Sequence, residues 1–338
     1  MPALRSEPLD SATATSPAHQ AASTDATSPE AAHASPPSRF DPPLSIALVT
    51  SQVHPEIDPD DEGLVVALRA HGIEPTACMW NDPSVDWAAF DALLVRSTWD
   101  YFQHYTQFLH WYARIAELGV AIVNPLPLLI WNSDKRYLLE LAKLDVPIIA
   151  TTHARGGDID AALASMSGEV VVKPSVSGGA WHTVRGRIGS EEFDRALAAL
   201  PRELDYLIQP FMPQIVADGE WSLLFFGGVY SHAVLKKPGA DDYRVQTYFG
   251  GTADLTEPAP SILAAARHAL QAVTALGYRD QAYVRVDGVV DEGVFRVMEL
   301  EFIEPFLHFA AHPPAATLFA AQLAQRWQAL RAPATLAT

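Results

Sequence analysis

An α/β unit followed by a longer α+β segment is the fold class this chain predicts, and three observations carry it. Short apolar strands alternate with amphipathic helices between residues 44 and 130. Hairpins with glycine turns dominate from about residue 131 onward. Near the C-terminus, two strands rich in Val, Phe and Tyr carry Asp287, Glu299 and Glu301. Strand–helix alternation builds a parallel sheet covered by helices, whereas glycine-turned hairpins build antiparallel sheets. The expected division is a tail over 1–43, an α/β domain over 44–130 and an α+β domain over 131–332.

The tail is mostly Ala, Ser, Thr and Pro, a composition that cannot bury enough apolar surface to offset its ordering entropy, so disorder is expected there. It lacks the apolar core of a secretory signal, and its acids and scarce Arg argue against a transit peptide. Ordered structure is expected from the strand Ser45–Thr50, followed by a helix over Asp60–Ala70 that ends at His71-Gly72. A strand Ile73–Met79, a short helix Asp82–Phe90 and a buried strand Ala92–Arg96 come next. The amphipathic helix Gln103–Leu118 closes at Gly119 before the strand Ala121–Asn124. Ligands of such sheets sit beyond the carboxyl ends of the strands. No Gly-x-Gly-x-x-Gly follows the first strand, so nothing supports dinucleotide binding. The third strand runs into Arg96, Ser97, Thr98, Trp99 and Asp100. Arg96 with the two hydroxyls and Asp100 reads as a clamp for an anionic or zwitterionic substrate, with helix capping as the alternative.

In the second segment, helices are expected over Asp134–Leu144, Asp158–Met166, Glu191–Leu200, Pro258–Leu276 and Pro313–Arg331. Strands are expected near Ile148 and over Glu169–Pro174, Thr183–Arg187 and Tyr206–Pro210. Glu220–Phe226 and Val229–Lys236 form a hairpin across Gly227-Gly228. The acidic hairpin follows, with Gly293 in the left-handed position of a three-residue loop, Asp291–Gly293. With Val290 facing Val294, Glu299 falls opposite Arg285 and Glu301 opposite Tyr283, so Arg285, Asp287, Glu299 and Glu301 share one face. Three acids on one sheet face repel unless a cation sits among them, and hard oxygen ligands suit Mg²⁺. A solvated acidic face is the alternative.

The chain has 338 residues, 49% hydrophobic and 19% charged, as expected of a soluble globular protein with a substantial core. A formal charge of -17 disfavours non-specific binding to nucleic acid or an anionic membrane, and no apolar run reaches the length of a membrane span. The single cysteine, Cys78, sits in an apolar run and reads as a core residue; a lone cysteine fits a reducing, cytoplasmic setting.

Ser175–Ala180 can lay backbone N–H groups around a phosphate, with Lys173 adding charge beside it. Lys135 is a second cation, or else a surface helix lysine. Gln209 and Phe211 end a strand where a planar base could stack, and Glu220 could bind a ribose or simply edge a hairpin. In order, Lys135, Lys173, a glycine loop, Gln209–Met212, Glu220 and then Asp287 with Glu299-x-Glu301 resemble the ATP-grasp superfamily over residues 131 to 310. Arg96–Tyr101, Trp131–Leu138, Lys173–Gly179, Ser231–Lys236, Arg244–Gln246 and Met298–Glu301 extend the resemblance to the glutathione-synthetase-like group that includes the O-ureido-D-serine cyclo-ligase.

That resemblance implies a pre-ATP-grasp, Rossmann-like unit and an ATP-grasp fold of two lobes, with ATP and Mg²⁺ as cofactors. It implies that Lys135 and Lys173 contact phosphates or adenine, that Ser177, Gly178, Gly179 and Ala180 form the phosphate lid, that Gln209 and Phe211 meet adenine, and that Glu220 meets ribose. Asp287, Glu299 and Glu301 would hold the metal, although many members have Asn where this chain has Glu301; Glu304 is the substitute ligand if the register differs. The implied reaction forms an acyl-phosphate on a small amino-acid-type carboxylate for attack by an amine. Arg285 and Arg244 would stabilise the transferred group; His232 and Lys236 would line the cleft, His232 being otherwise a packed residue. A non-catalytic nucleotide-binding module, a ligase acting on a peptide or protein terminus and a periplasmic-type binding protein are the competing readings. A homodimer is open, since related ligases often dimerise.

Overall fold

The computed structural model describes residues 40–239, 243–245 and 250–331, so the expected tail up to residue 39, and Gln246, lie outside the described residues. Within them, the aliphatic strands β1 (Leu44–Thr50), β2 (Ile73–Met79), β3 (Ala92–Ser97) and β4 (Ala121–Ile122) form a parallel sheet in the order β2-β1-β3-β4. Helices α1 (Glu62–Ala70) and α2 (Tyr105–Leu118) join them, and α2 ends at Gly119 in the left-handed conformation, as its sequence anticipated. Only a single 3-10 turn, Trp87–Ala89, replaces the short helix expected over Asp82–Phe90.

Helix α3 (Leu126–Asn132), which the sequence reading did not anticipate, leads to α4 (Tyr137–Ala142). The helix expected from Asp134 opens as a tighter turn, since the N–H groups of Tyr137, Leu138 and Leu139 bond three residues back, to Asp134, Lys135 and Arg136. Asp134 Oδ1 accepts the Arg136 N–H, and the Lys135 N–H donates to Ser175 O at 2.7 Å. Strand β5 (Thr152–Arg155) lies beyond the expected position, and Ile148 makes only an isolated bridge to Val297. A small lobe follows: α5 (Ile159–Leu163), β6 (Glu169–Pro174), β7 (Val184–Arg187), α6 (Glu191–Ala198) and β8 (Asp205–Pro210). Its antiparallel sheet, in the order β5-β8-β6-β7, encloses its own core of Ile159, Val170, Val172, Phe193, Leu197, Tyr206 and Ile208.

The last lobe holds α7 (Gln214–Ala217), β9 (Glu220–Phe226), β10 (Val229–Lys237), β11 (Thr252–Leu255), α8 (Pro260–Ala275), β12 (Tyr283–Asp291), β13 (Val294–Glu301) and α9 (Pro314–Arg331). Its strands run β11-β10-β9-β12-β13, all antiparallel. The boundary at residue 130 is not a break in packing. Val95, Phe108 and Tyr112 share one core with Phe225, Val286 and Phe302, while α9 returns Phe319, Leu323 and Trp327 to Ile46, Leu48 and Leu64.

The acidic hairpin departs from the expected register. Its loop has two residues, Glu292 and Gly293, both with positive φ (49° and 79°), and Asp291 pairs with Val294. That turn alone would set Asp287 opposite Met298 and send Glu299 and Glu301 to the other face. A β-bulge between Asp287 and Gly288 restores the parity: Asp287 pairs with Glu299 and Arg285 with Glu301. The expected common face is therefore right, and the expected partners are each two residues out.

Candidate active site

β13 is an edge strand, so its outer N–H and C=O groups need partners. Asn132 supplies two, donating to Leu300 O and accepting the Phe302 N–H; the Tyr137 hydroxyl accepts the Leu300 N–H and donates to Leu300 O. Asn124, at φ 60°, does the same for the start of β12, donating to Tyr283 O and accepting the Ala282 N–H. Three side chains from the stretch 124–137 thus hold the acidic strands in place.

The strands open onto a cavity of about 690 Å³ between the two antiparallel lobes. Lining it are Lys135, Lys173, Ser177, Gly178, Gly179, Ala180, Gln209, Phe211, Glu220, Lys236, Arg244, Arg285, Asp287, Glu299 and Glu301, all singled out from sequence. The acids are threaded by cations. Arg285 donates from Nε and Nη2 to the Asp287 carboxylate at 2.8–3.0 Å and also pairs with Glu301. Asp287 further accepts from Ser222 and lies 3.7 Å from Lys236, which itself sits 2.5 Å from Glu220. Lys135 Nζ lies 3.0 Å from Glu299 and donates to Ser177 O.

Protonation follows from these contacts. Burial works to raise Asp287, but Arg285 and then Lys236 outweigh it and hold the carboxyl down at about 2. Burial raises Glu301, and Asp287 and Glu299 add to that against Arg285, so it is pushed up to about 8. Partial burial, with Glu299 nearby, pushes Glu304 up to about 7 despite Lys135. Burial lowers the Lys173 ammonium, Lys135 adds to the effect and Glu299 opposes it.

A divalent cation suits part of this donor set. Glu299 and Glu301 offer hard oxygens, and the crowding of acids that keeps a proton on Glu301 is what a cation among them would relieve. Asp287 fits less well, because its oxygens are already engaged by Arg285, Ser222 and Lys236. Among the described residues no three His, Cys, Asp or Glu side chains are gathered as a metal cluster, since each acid is turned onto a basic neighbour.

At the far end of the cavity, buried Gln209 donates to Thr151 Oγ1 at 2.9 Å. One face of Phe211 is covered by the Arg185 guanidinium at 3.5 Å, and Tyr243 meets the ring edge-on.

The expected substrate clamp is corrected. Arg96 is 3% exposed and lies away from the cavity, making two hydrogen bonds of 2.9 Å to Asp61 and one to Pro305 O. Ser97, Thr98 and Asp100 are buried with it, and Asp100 accepts the Trp80 indole N–H. Their strand end points into the join with the 304–310 loop rather than into the pocket. His232 is also buried beside the cavity, donating to Leu307 O at 3.1 Å, with the His312 ring 5.0 Å away. Arg96 and His232 instead help to fix the loop. Glu304 O takes the Trp99 indole N–H, Pro305 O takes Arg96, Phe306 O takes Arg285, and Asp60 caps the Phe309 and Ala310 N–H groups.

That loop brings Phe306 and His308 to the cavity wall, where they join His54, Asp58 and Trp99 from the α/β unit. Sequence reasoning missed all five. Aromatic residues after a strand were a signal for Trp99 alone; His308, at φ 55°, gave none.

Two antiparallel lobes closing on one cavity, one bearing a lysine and a glycine loop and the other a row of acids, define the ATP-grasp fold. Similar solved structures share it: D-alanine–D-alanine ligase from Bacillus anthracis matches with a TM-score of 0.60 at 14% identity, over 85% of this chain and 99% of that one. The structure of the D-cycloserine synthetase DcsG matches with a TM-score of 0.74 at 32% identity, over 83% of this chain and 99% of that one. The cycloserine biosynthesis protein DcsG of Streptomyces lavendulae is 35% identical over 297 residues, 83% of this chain and 98% of that protein. The family described as D-cycloserine synthetase DcsG, N-terminal domain, matches residues 46–124. The chain belongs to the DcsG family, and its fold is that of the ATP-grasp ligases.

Proposed function

We propose that this chain is an ATP- and Mg²⁺-dependent, ADP-forming ligase that converts a small amino-acid-type carboxylate into an acyl-phosphate for attack by an amine. The observation that carries this reading is Lys135, which ties Ser177 of the glycine loop to Glu299 of the acid row and so joins the two halves of the cavity. ATP is assigned along that axis, with Gln209 and Phe211 at the base, Glu220 at the ribose, and Lys135, Lys173 and the Ser177–Ala180 loop at the phosphates. Mg²⁺, held by Glu299 and Glu301 with Asp287 beside them, supplies charge neutralisation at the phosphates when bound.

Carboxylate and γ-phosphate repel each other, so preorganised cations must span the transferring group. Arg285 is held rigid by Asp287, and with Arg244 it faces this region of the cavity. Both are assigned to the transferred phosphoryl and the tetrahedral intermediate. Lys236, steadied by Glu220 and Asp287, adds a third positive group. The acyl substrate is assigned to the side walled by His54, Trp99, Phe306 and His308, in place of the Arg96 clamp. No protein nucleophile is required, which agrees with Cys78 being buried in the core. The name of the DcsG relatives supports an intramolecular attack that closes a ring, as a cycloserine product requires.

The test is Mg²⁺-dependent ADP release across a panel of D- and L-amino acids and their side-chain derivatives, with hydroxylamine added to trap acyl-phosphate. A hydroxamate with one substrate class, lost in Asp287→Asn, is the expected result. ATP binding with no ADP release across the panel would favour a non-catalytic module, and failure to bind ATP would overturn the reading altogether.

A further inference from the structure

Phe102 stands in the helical turn Tyr101–His104 of the α/β unit, and its ring lies 5.5 Å from that of Trp181, just beyond the glycine loop. It is 8% exposed and is backed by Tyr101 at 5.8 Å, which in turn lies 4.9 Å from the fully buried Phe108. Rings therefore run in contact from the core of the α/β unit to the loop, ending at His182, 4.2 Å from Trp181.

Gly178 lies under the Phe102 ring. A Cβ built there would fall 2.6 and 2.9 Å from two ring carbons, closer than real side chains approach. Unlike Gly179 (φ 55°), Gly178 does not have a left-handed backbone, so an alanine is excluded by Phe102 and not by conformation. The loop is also gripped from beneath, by Lys135 on Ser177 O and by the Lys135 N–H on Ser175 O. Ala180 (φ 60°) and His182 (φ 48°) occupy conformations that side chains adopt only when their surroundings impose them. The loop is thus held by its neighbours rather than by its own preferences.

We propose that Phe102 is a positioning residue through which the α/β unit holds the Ser177–Ala180 loop down over the cavity, with Gly178 as the matching surface. Its functional consequence rests on the phosphate reading of that loop; the latch itself rests on contact geometry alone. Trp99, three residues earlier, lines the same cavity, so one short segment touches both the loop and the side assigned to the acyl substrate.

The test uses the full chain with Gly178→Ala, Phe102→Leu, Phe102→Ala and the Gly178→Ala/Phe102→Ala double variant. Hydrogen exchange of the 177–183 amides is measured without nucleotide, and Mg–ADP affinity by calorimetry. Each single variant is expected to speed loop exchange and weaken Mg–ADP by about tenfold, as coupled neighbours do. The double variant is expected to be no worse than the worse single one, because the added methyl enters the space the ring has left. Wild-type exchange in Gly178→Ala, or its full penalty persisting in the Phe102→Ala background, would overturn the proposal. If Phe102→Ala also loosens β1 and β3, Gly178→Ala and Phe102→Leu decide the matter. Failure of the wild-type chain to bind Mg–ADP would overturn the phosphate reading, while loop exchange still judges the latch.

Discussion

Asp287 lies directly opposite Glu299 across the β12–β13 pair, one residue out of step with the turn that joins the two strands. The bulge that makes this pairing depends on Gly288, where a Cβ would come within 2.5 Å of both Arg296 O and the Phe295 ring. Gly288→Ala is expected to cost about 2 kcal/mol or more in urea unfolding, as forced overpacking does. It is also expected to abolish ADP release, because losing the bulge turns Glu299 and Glu301 off the cavity face. An unfolding midpoint and turnover equal to the wild type would show that the bulge is dispensable.

Removing Lys135 breaks two connections at once, the ion pair with half-buried Glu299 and the bond to Ser177 O. Burial opposes its charge, yet Glu299, Glu301 and Glu304 together raise its pKa, so it is a firmly held cation. Lys135→Met is expected to weaken Mg–ADP binding by about 1.5–3 kcal/mol, the usual worth of a hydrogen bond to a charged group. Calorimetric titration measures this directly.

Arg96 is expected to matter for stability before chemistry. Its pair with Asp61 is buried on both sides, at 3% side-chain exposure each. Arg96→Met leaves Asp61 buried and unpaired, a loss of about 3–5 kcal/mol, and adding Asp61→Leu should recover much of it. A residue binding substrate would behave otherwise, raising KM with little change in melting temperature.

His232 links stability to pH. Burial, reinforced by the His312 ring, holds it at about 4 against the Leu307 carbonyl, well below the ordinary histidine range. As pH falls below 6.5 the unfolded chain takes up a proton that the folded chain refuses, so stability declines from pH 6.5 toward 4. The full effect is roughly 3 kcal/mol. His232→Gln should remove this share of the slope in melting temperature between pH 7 and 4.5, and an unchanged slope would assign it to other groups.

The residues that did and did not read out of the sequence differ in kind. Lys173 before a glycine loop, Gln209 at a strand end and the Glu299-x-Glu301 pair are local patterns, and period-two alternation places such residues on a face without further information. The cavity gathers all of them. Arg96 read as a ligand clamp because its strand end is where ligands of parallel sheets sit. The residue that meets it, Asp61, lies 35 positions away, and Pro305 lies 209 away. Charge at a strand end looks alike in sequence whether substrate or protein will neutralise it.

Element order, the parallel-then-antiparallel plan and the identity of most polar groups in the cavity were therefore determined by the sequence itself, because local propensity and side-chain period act over a few residues. Tertiary structure alone decided the parity of the acidic strands, through a bulge at Gly288 that packing against Phe295 and Arg296 imposes. It likewise decided the wall of His54, Trp99, Phe306 and His308, which forms only when the 304–310 loop docks on the α/β unit through Asp60 and Arg96. Buried charges and backbone groups must find partners wherever the fold brings them, and no local pattern records which distant residue that will be.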